Sequence, residues 1–174
     1  VRDSGLEHVP KHCDQVLAAN HISNADPILN ANWLTYSHGR PVHWMAEAEA
    51  MEWPITGWFM RMKGAFGIRR GAADREAYRR AKSVLDDGRV LGTFPEGTRS
   101  PTGALQVAKV GVTPLALRTG APILPIGVID TDLFLPRRRK IWPLGVLSRG
   151  GTLVQVGVPF TLGRPVVPDG RKRR

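Results

Sequence analysis

Cysteine is almost missing from this chain. Cys13 is the single one among 174 residues, which excludes an intramolecular disulfide and permits a reducing compartment. No His or Cys cluster surrounds it, so it reads as incidental, and His8, His12, His38 and His43 show no ligand spacing. Long apolar runs are lacking too: none approaches the ~20 residues that span a bilayer. The opening Val1-Arg2-Asp3-Ser4-Gly5 has no signal-peptide core, and the chain begins without Met, so it reads as a fragment or a processed form. There is no internal repeat and no low-complexity stretch. Acidic residues are scarce in one half only. Residues 1–87 hold 11 Lys+Arg and 11 Asp+Glu, whereas residues 88–174 hold 14 against 4, which carries the whole net charge of +10. The second half therefore faces something anionic: lipid head groups, phosphorylated substrates or nucleic acid.

What is present suits one soluble globular domain over 1–174, with an irregular lead-in at 1–15 and a basic tail at 161–174; hydrophobic residues make up 42%. Val16–Ala19 is a short buried strand, and Pro27–Leu34 the first helix. Pro41–Met45 reads as a second strand, followed by helical character at 46–50. Met51, Ile55, Trp58, Phe59 and Met62 form a helical stripe, either core-facing or a surface for apolar chains. Asp74–Asp87 is the clearest helix, burying Ala77, Ala81, Val84 and Leu85, with Gly88 just past its end. Val90–Phe94 is a strand, Thr113-Pro114 opens a helix that Gly120 ends, and Ile123–Ile129 and Thr152–Val158 are further strands. Strands alternating with helices predict an α/β sandwich whose central, largely parallel sheet is flanked by helices.

Chemistry concentrates after the first strand, in Asn20-His21-Ile22-Ser23-Asn24-Ala25-Asp26-Pro27. Five residues of regular helix rotate the chain by roughly 500°, which would put His21 and Asp26 on nearly opposite faces. Ser23, Asn24 and the Asp26-Pro27 step favour a turn instead, and a turn brings them together. Asp26 then holds one imidazole nitrogen and the other accepts a proton: a general-base dyad whose nucleophile the substrate supplies. Taken alone, the short motif more often describes a turn histidine and a helix-capping aspartate that never touch.

Two loops add positive charge. Gly64-Ala65-Phe66-Gly67-Ile68-Arg69-Arg70-Gly71 places two arginines in a glycine-flanked loop, and Phe94-Pro95-Glu96-Gly97-Thr98-Arg99-Ser100 leaves a strand into a tight turn. A guanidinium fork suits phosphate, and Thr98 and Ser100 add hydroxyls; each loop by itself is also an ordinary solvated turn. Arg137-Arg138-Arg139-Lys140-Ile141-Trp142 fits an anionic membrane surface or a plain solvated loop.

In this order, with Pro122-Ile123-Leu124-Pro125-Ile126, these stretches resemble the glycerolipid acyltransferase family, whose best-known members are 1-acylglycerol-3-phosphate acyltransferases. Ser100-x2-Gly103-x-Leu105-x3-Lys109-x-Gly111 and Val156-Gly157-Val158-Pro159 are similar to later family segments, so the resemblance covers about residues 5–160. It implies that His21 deprotonates the acceptor hydroxyl, which attacks the thioester of acyl-CoA or acyl carrier protein, while Asp26 holds the imidazole tautomer. Arg70, Glu96, Gly97, Thr98 and Arg99 match substrate-binding positions for the glycerol-phosphate part of the acceptor, and Lys109 falls on a basic family position. Neither a metal nor another cofactor is implied, and no acyl-enzyme. Arg69 stands where many relatives carry an acidic or neutral residue, and the family's N-terminal and closing helices have no counterpart here.

The expected activity is therefore transfer of a fatty acyl group to a lysophospholipid, first 1-acylglycerol 3-phosphate, at the cytoplasmic face of the membrane as a peripheral protein. The alternatives are the same chemistry on glycerol 3-phosphate, a glycolipid or an aminolipid, or a non-catalytic basic module that binds membrane or nucleic acid. Nucleic acid is not expected as a partner, because the aromatic interleaving of a stacking platform is missing.

Overall fold

The computed structural model describes residues 2–10, 14–27, 29–30, 34, 39–52, 54–69, 74–134 and 151–163. Seven strands lie among them: β1 (Arg2–Ser4), β2 (Gln15–Ala19), β3 (Val42–Glu47), β4 (Phe66–Ile68), β5 (Val90–Thr93), β6 (Ile123–Ile129) and β7 (Leu153–Val156). They form one sheet in the order β1-β7-β6-β2-β5-β3-β4, in which every pairing is parallel except β6 with β7. The fold is the expected largely parallel α/β sandwich. β2 is central, with Val16–Ala18 paired to β5 on one side and Val16–Ala19 to β6 on the other.

The alternating pleat divides the core into two layers. Leu17, Ala19, Val42, Trp44, Leu124, Ile126 and Val128 point to one face, where Leu34 and Met51 cover them. Val16, Leu91, Phe66 and Ile123 point to the other, against α3 (Arg75–Asp86) and α4 (Thr113–Thr119). A strand buried on both faces reads as an unbroken apolar run, and Val16-Leu17-Ala18-Ala19 is one. α3 buries Ala77, Ala81, Val84 and Leu85, the predicted stripe, and Gly88 follows at φ 71°. α4 begins at Thr113 itself and ends on the left-handed Gly120.

Four local expectations are corrected. The strand expected at 41–45 runs on to Glu47 because Met45, Ala46 and Glu47 pair with Phe66, Gly67 and Ile68; this ladder overrides the helical preference of the alanines. The same pairing makes strand β4 out of a stretch expected to be all loop. The lead-in is not irregular: β1 pairs with β7, and Leu6–His8 form a 3-10 turn. The stripe from Met51 to Met62 is split between α1 (Ala48–Glu52) and α2 (Pro54–Met62), since Pro54 restarts the helix. Met51 is buried, whereas Trp58 is 58% and Met62 64% exposed, because α2 turns Gly57 toward α1. A Cβ on Gly57 would lie 2.0 Å from the Met51 carbonyl oxygen. No helix among the described residues is long and apolar enough to cross a membrane.

Gly92 serves a close approach of another kind. It pairs with Trp44 across β5 and β3, and the indole lies over it: an added Cβ would stand 2.6 Å from Trp44 Cδ2. Gly92→Ala is expected to displace the indole, destabilise the fold by about 1–3 kcal/mol in urea unfolding and shift tryptophan emission. An unchanged midpoint would show that the ring yields freely.

Asp74 caps α3 through its Oδ1, which accepts from Ala77 N at 3.0 Å, and its Oδ2 accepts from Arg69 N at 3.0 Å. The Ala77 amide first, and the Arg69 amide second, hold its carboxyl below the ordinary value of 3.8. A depressed folded-state pKa gives stability present above the unfolded value and lost as pH falls through the folded one. Asp74→Ala should therefore lower the melting temperature at neutral pH, and the gap to wild type should close below pH 3.8. A gap that persists in acid would refute the charged cap.

Candidate active site

Parallel strands share a carboxyl edge, and ligands of open α/β sheets bind outside it. The segments after β2, β5 and β6 all leave the sheet there. β2 ends at Ala19, and the next residue clamps the seam. Asn20 Nδ2 donates to Val128 O at 3.0 Å while its Oδ1 accepts from Val128 N at 2.7 Å, so this side chain extends the β2–β6 ladder by one rung.

His21 follows, and Nδ1 meets Asp26 Oδ2 at 2.8 Å. The turn between them is built on that carboxylate: the amides of Ile22 and Ser23 also donate to Oδ2, at 2.7 and 2.8 Å. Asp26 opens the helical residues 26, 27, 29 and 30, where Leu29 N donates to Ala25 O at 2.9 Å. The carboxylate is fully buried, and its Oδ1 accepts the hydroxyl of Thr131. With Nδ1 donating, Nε2 keeps its lone pair, and no described residue bonds it. His21 and Asp26 are thus brought together as expected. Ser23, the hydroxyl inside the turn, is buried and accepts from Ala25 N at 3.1 Å.

An aromatic stack backs the imidazole. Residues 17, 19 and 21, residues 92 and 94, and residues 44 and 46 lie on one face by pleat alternation. Phe94 stacks on His21 with centroids 4.1 Å apart and on Trp44 at 4.7 Å, each at 16°.

The loop after β5 is tied to His21 by its backbone. Glu96 Oε1 accepts from His21 N at 3.0 Å, and Ser100 N donates to His21 O at 2.7 Å. Glu96 is buried, and its other oxygen accepts from Gln106 N at 3.3 Å. Both oxygens of this carboxylate, which the resemblance places among the substrate-binding positions, accept backbone amides of two loops. Gly97 takes φ 69°, and a Cβ there would stand 3.0 Å from Lys109 Nζ, so the ammonium lies over this turn. Lys109 N donates to Pro95 O at 2.8 Å. Thr98, Arg99 and Lys109 are exposed, and no described residue pairs with either cation. Arg70 lies outside the described residues, as do residues 137–142; Arg69 closes β4 at the same sheet edge.

Asn20, Trp44, Phe94 and Thr131 complete the arrangement without having been expected to hold it. Asn20 and Phe94 sit inside the motifs, so their positions were visible. Thr131 had no signal, being 105 residues from its partner. Among the described residues no three His, Cys, Asp or Glu side chains are placed to hold a metal ion.

The family model for acyltransferases matches residues 1–129. The chain is 30% identical over 133 residues to the 1-acyl-sn-glycerol-3-phosphate acyltransferase of Borreliella burgdorferi, a match covering 75% of this chain and 52% of that protein. It is 33% identical over 112 residues to the lyso-ornithine lipid O-acyltransferase of Pseudomonas aeruginosa, covering 63% and 41%. The crystal structure of the 1-acyl-sn-glycerophosphate (LPA) acyltransferase from Thermotoga maritima superposes with a TM-score of 0.71 at 26% identity, covering 92% of this chain and 61% of that one. The chain spans about half the length of the curated relatives it matches. A family model spanning well over half of the sequence, with a solved member of the same fold, establishes that this chain belongs to the acyltransferase family.

Proposed function

We propose that this domain transfers a fatty acyl group from the thioester of acyl-CoA or acyl carrier protein to the hydroxyl of a lysophospholipid, first 1-acylglycerol 3-phosphate, giving phosphatidate. The observation that carries this reading is the His21–Asp26 pair, 2.8 Å apart at the carboxyl edge, whose Nε2 is bonded by no described residue. His21 Nε2 takes the proton of the acceptor hydroxyl as that oxygen attacks the thioester carbonyl. The tetrahedral intermediate collapses, the C–S bond breaks, and the imidazolium returns the proton to the leaving thiolate. Asp26 fixes the tautomer and offsets the positive charge. The dyad holds no nucleophile of its own, and Ser23 is buried and engaged, which favours direct transfer over an acyl-enzyme. Arg99 and Lys109, beside the Gly97 turn, supply charge-assisted donors for the acceptor phosphate, with Thr98 adding a hydroxyl. Arg70 is assigned to the same phosphate by resemblance alone.

The partner surface follows from the same loop. Leu105, Val107 and Val110 are 79, 91 and 73% exposed and flank Lys109, so the strap after Ser100 offers apolar and cationic groups together. That combination fits an anionic bilayer, with the protein peripheral at its cytoplasmic face. A second acceptor class is favoured by one observation, the similarity to a lyso-ornithine lipid O-acyltransferase, which points to an aminolipid.

His21→Ala is expected to lower lysophosphatidate-dependent thiol release from palmitoyl-CoA by about 10²–10⁴-fold while circular dichroism stays unchanged. Undiminished release would remove the general base; equal lipid binding with no release by wild type would favour a non-catalytic module. Arg99→Ala should raise KM for lysophosphatidate about tenfold at nearly constant kcat, since it removes a charge-assisted contact to phosphate. If KM for a phosphate-free monoacylglycerol rises equally, Arg99 does not read the phosphate.

A further inference from the structure

We propose that Thr131 is a positioning residue for acyl transfer, acting through Asp26; the proposal rests on the general-base reading of His21. Thr131 is fully buried, and its hydroxyl donates to Asp26 Oδ1, the oxygen that His21 and the Ile22 and Ser23 amides leave open. A carboxylate rotates about its Cβ–Cγ bond unless both oxygens are held. The local turn engages Oδ2 alone, and Thr131 holds the other.

Two features of the chain direct Thr131 to this place. Asn20 grips both backbone groups of Val128, which sets the end of β6 level with the start of the His21 turn. Two residues on, Asp130 takes φ 62°, the one left-handed non-glycine residue among those described. Such a conformation persists only where its surroundings determine it, and it is found at sites where geometry matters. Here it reverses the chain at the strand end and turns Thr131 inward, so the short α5 (Thr131–Phe134) starts against Asp26 rather than in solvent.

The hydroxyl thus locks the plane of the carboxylate, and the carboxylate locks the imidazole. Loss of the hydroxyl frees Asp26 to rotate and misaims Nε2, which slows proton removal without touching the acceptor. That predicts a loss in kcat rather than in KM. It also predicts no further loss when Asp26 itself has been replaced, because Thr131 acts through that carboxylate.

The test compares wild type with Thr131→Val, Thr131→Ala, Thr131→Ser and His21→Ala by thiol release from palmitoyl-CoA, varying lysophosphatidate, with melting temperatures recorded. Thr131→Val and Thr131→Ala should lose about ten- to hundredfold in kcat with KM within twofold, and Thr131→Ser should retain most activity. Serine and alanine differ by the hydroxyl alone, so their ratio decides the question even where valine fails to fold. In an Asp26→Asn background, adding Thr131→Ala should bring no further loss. Equal kcat for the serine and alanine variants, or a full additional loss in Asp26→Asn, overturns the proposal. An inert His21→Ala beside a fully active Thr131→Ala sinks the role of Thr131 alone; an active His21→Ala sinks the general base and Thr131 with it.

Discussion

A carboxylate with no exposure to water must be satisfied by donors, or its burial costs several kcal/mol. Asp26 is such a group, and its four donors shape the site: His21 Nδ1, the amides of Ile22 and Ser23, and the Thr131 hydroxyl. Three come from its own turn and one from the far side of β6. The turn supplies three of them locally, and the fourth reaches Asp26 only because β2 and β6 are paired, so the full set of donors is a product of the sheet as well as of the motif.

The second buried acid works in the same way. Glu96 spends its oxygens on the amides of His21 and Gln106, tying the loop after β5 both to the dyad and to the strap beyond it. Ser100 completes the tie by donating its amide to the His21 carbonyl. Asp26 and Glu96 are thus internal fasteners, and on the loop and strap after β5 Thr98, Arg99 and Lys109 are left exposed. The charge imbalance of the second half, 14 basic against 4 acidic residues, has part of its structural form here. In the loops after β2 and β5 the buried carboxylates position backbone, while Arg99 and Lys109 stay outside.

The aromatic column behind His21 links this edge to the core. Trp44 reaches Phe94 because Gly92 leaves room on β5, and Phe94 in turn stacks on the imidazole. One small residue within a strand thereby supports the orientation of a ring on the neighbouring strand's exit. The acyltransferase fold carries its chemistry on loops, yet their aim is set by the pleat of β2, β3 and β5.

Much of this was legible in the sequence wherever the relevant physics is local. His21 and Asp26 are five residues apart, and Ser23, Asn24 and Asp26-Pro27 favour a turn by their own backbone preferences. The periodicity of Ala77, Ala81, Val84 and Leu85 defines a helix face without reference to anything else. The unbroken apolar run Val16–Ala19 declares a strand buried on both faces. Tertiary structure alone decided the rest. Strands β1 and β4 are three residues long and exist because a partner strand offers a ladder, so no pattern within them announces it. Trp58 and Met62 face outward because α2 crosses α1 at Gly57, a contact that helical spacing does not encode. Glu96 became a fastener and Thr131 a partner of Asp26 through hydrogen bonds spanning 75 and 105 residues. Such bonds leave no period in the chain; they form only after the parallel sheet has brought the ends of β2, β5 and β6 to one edge.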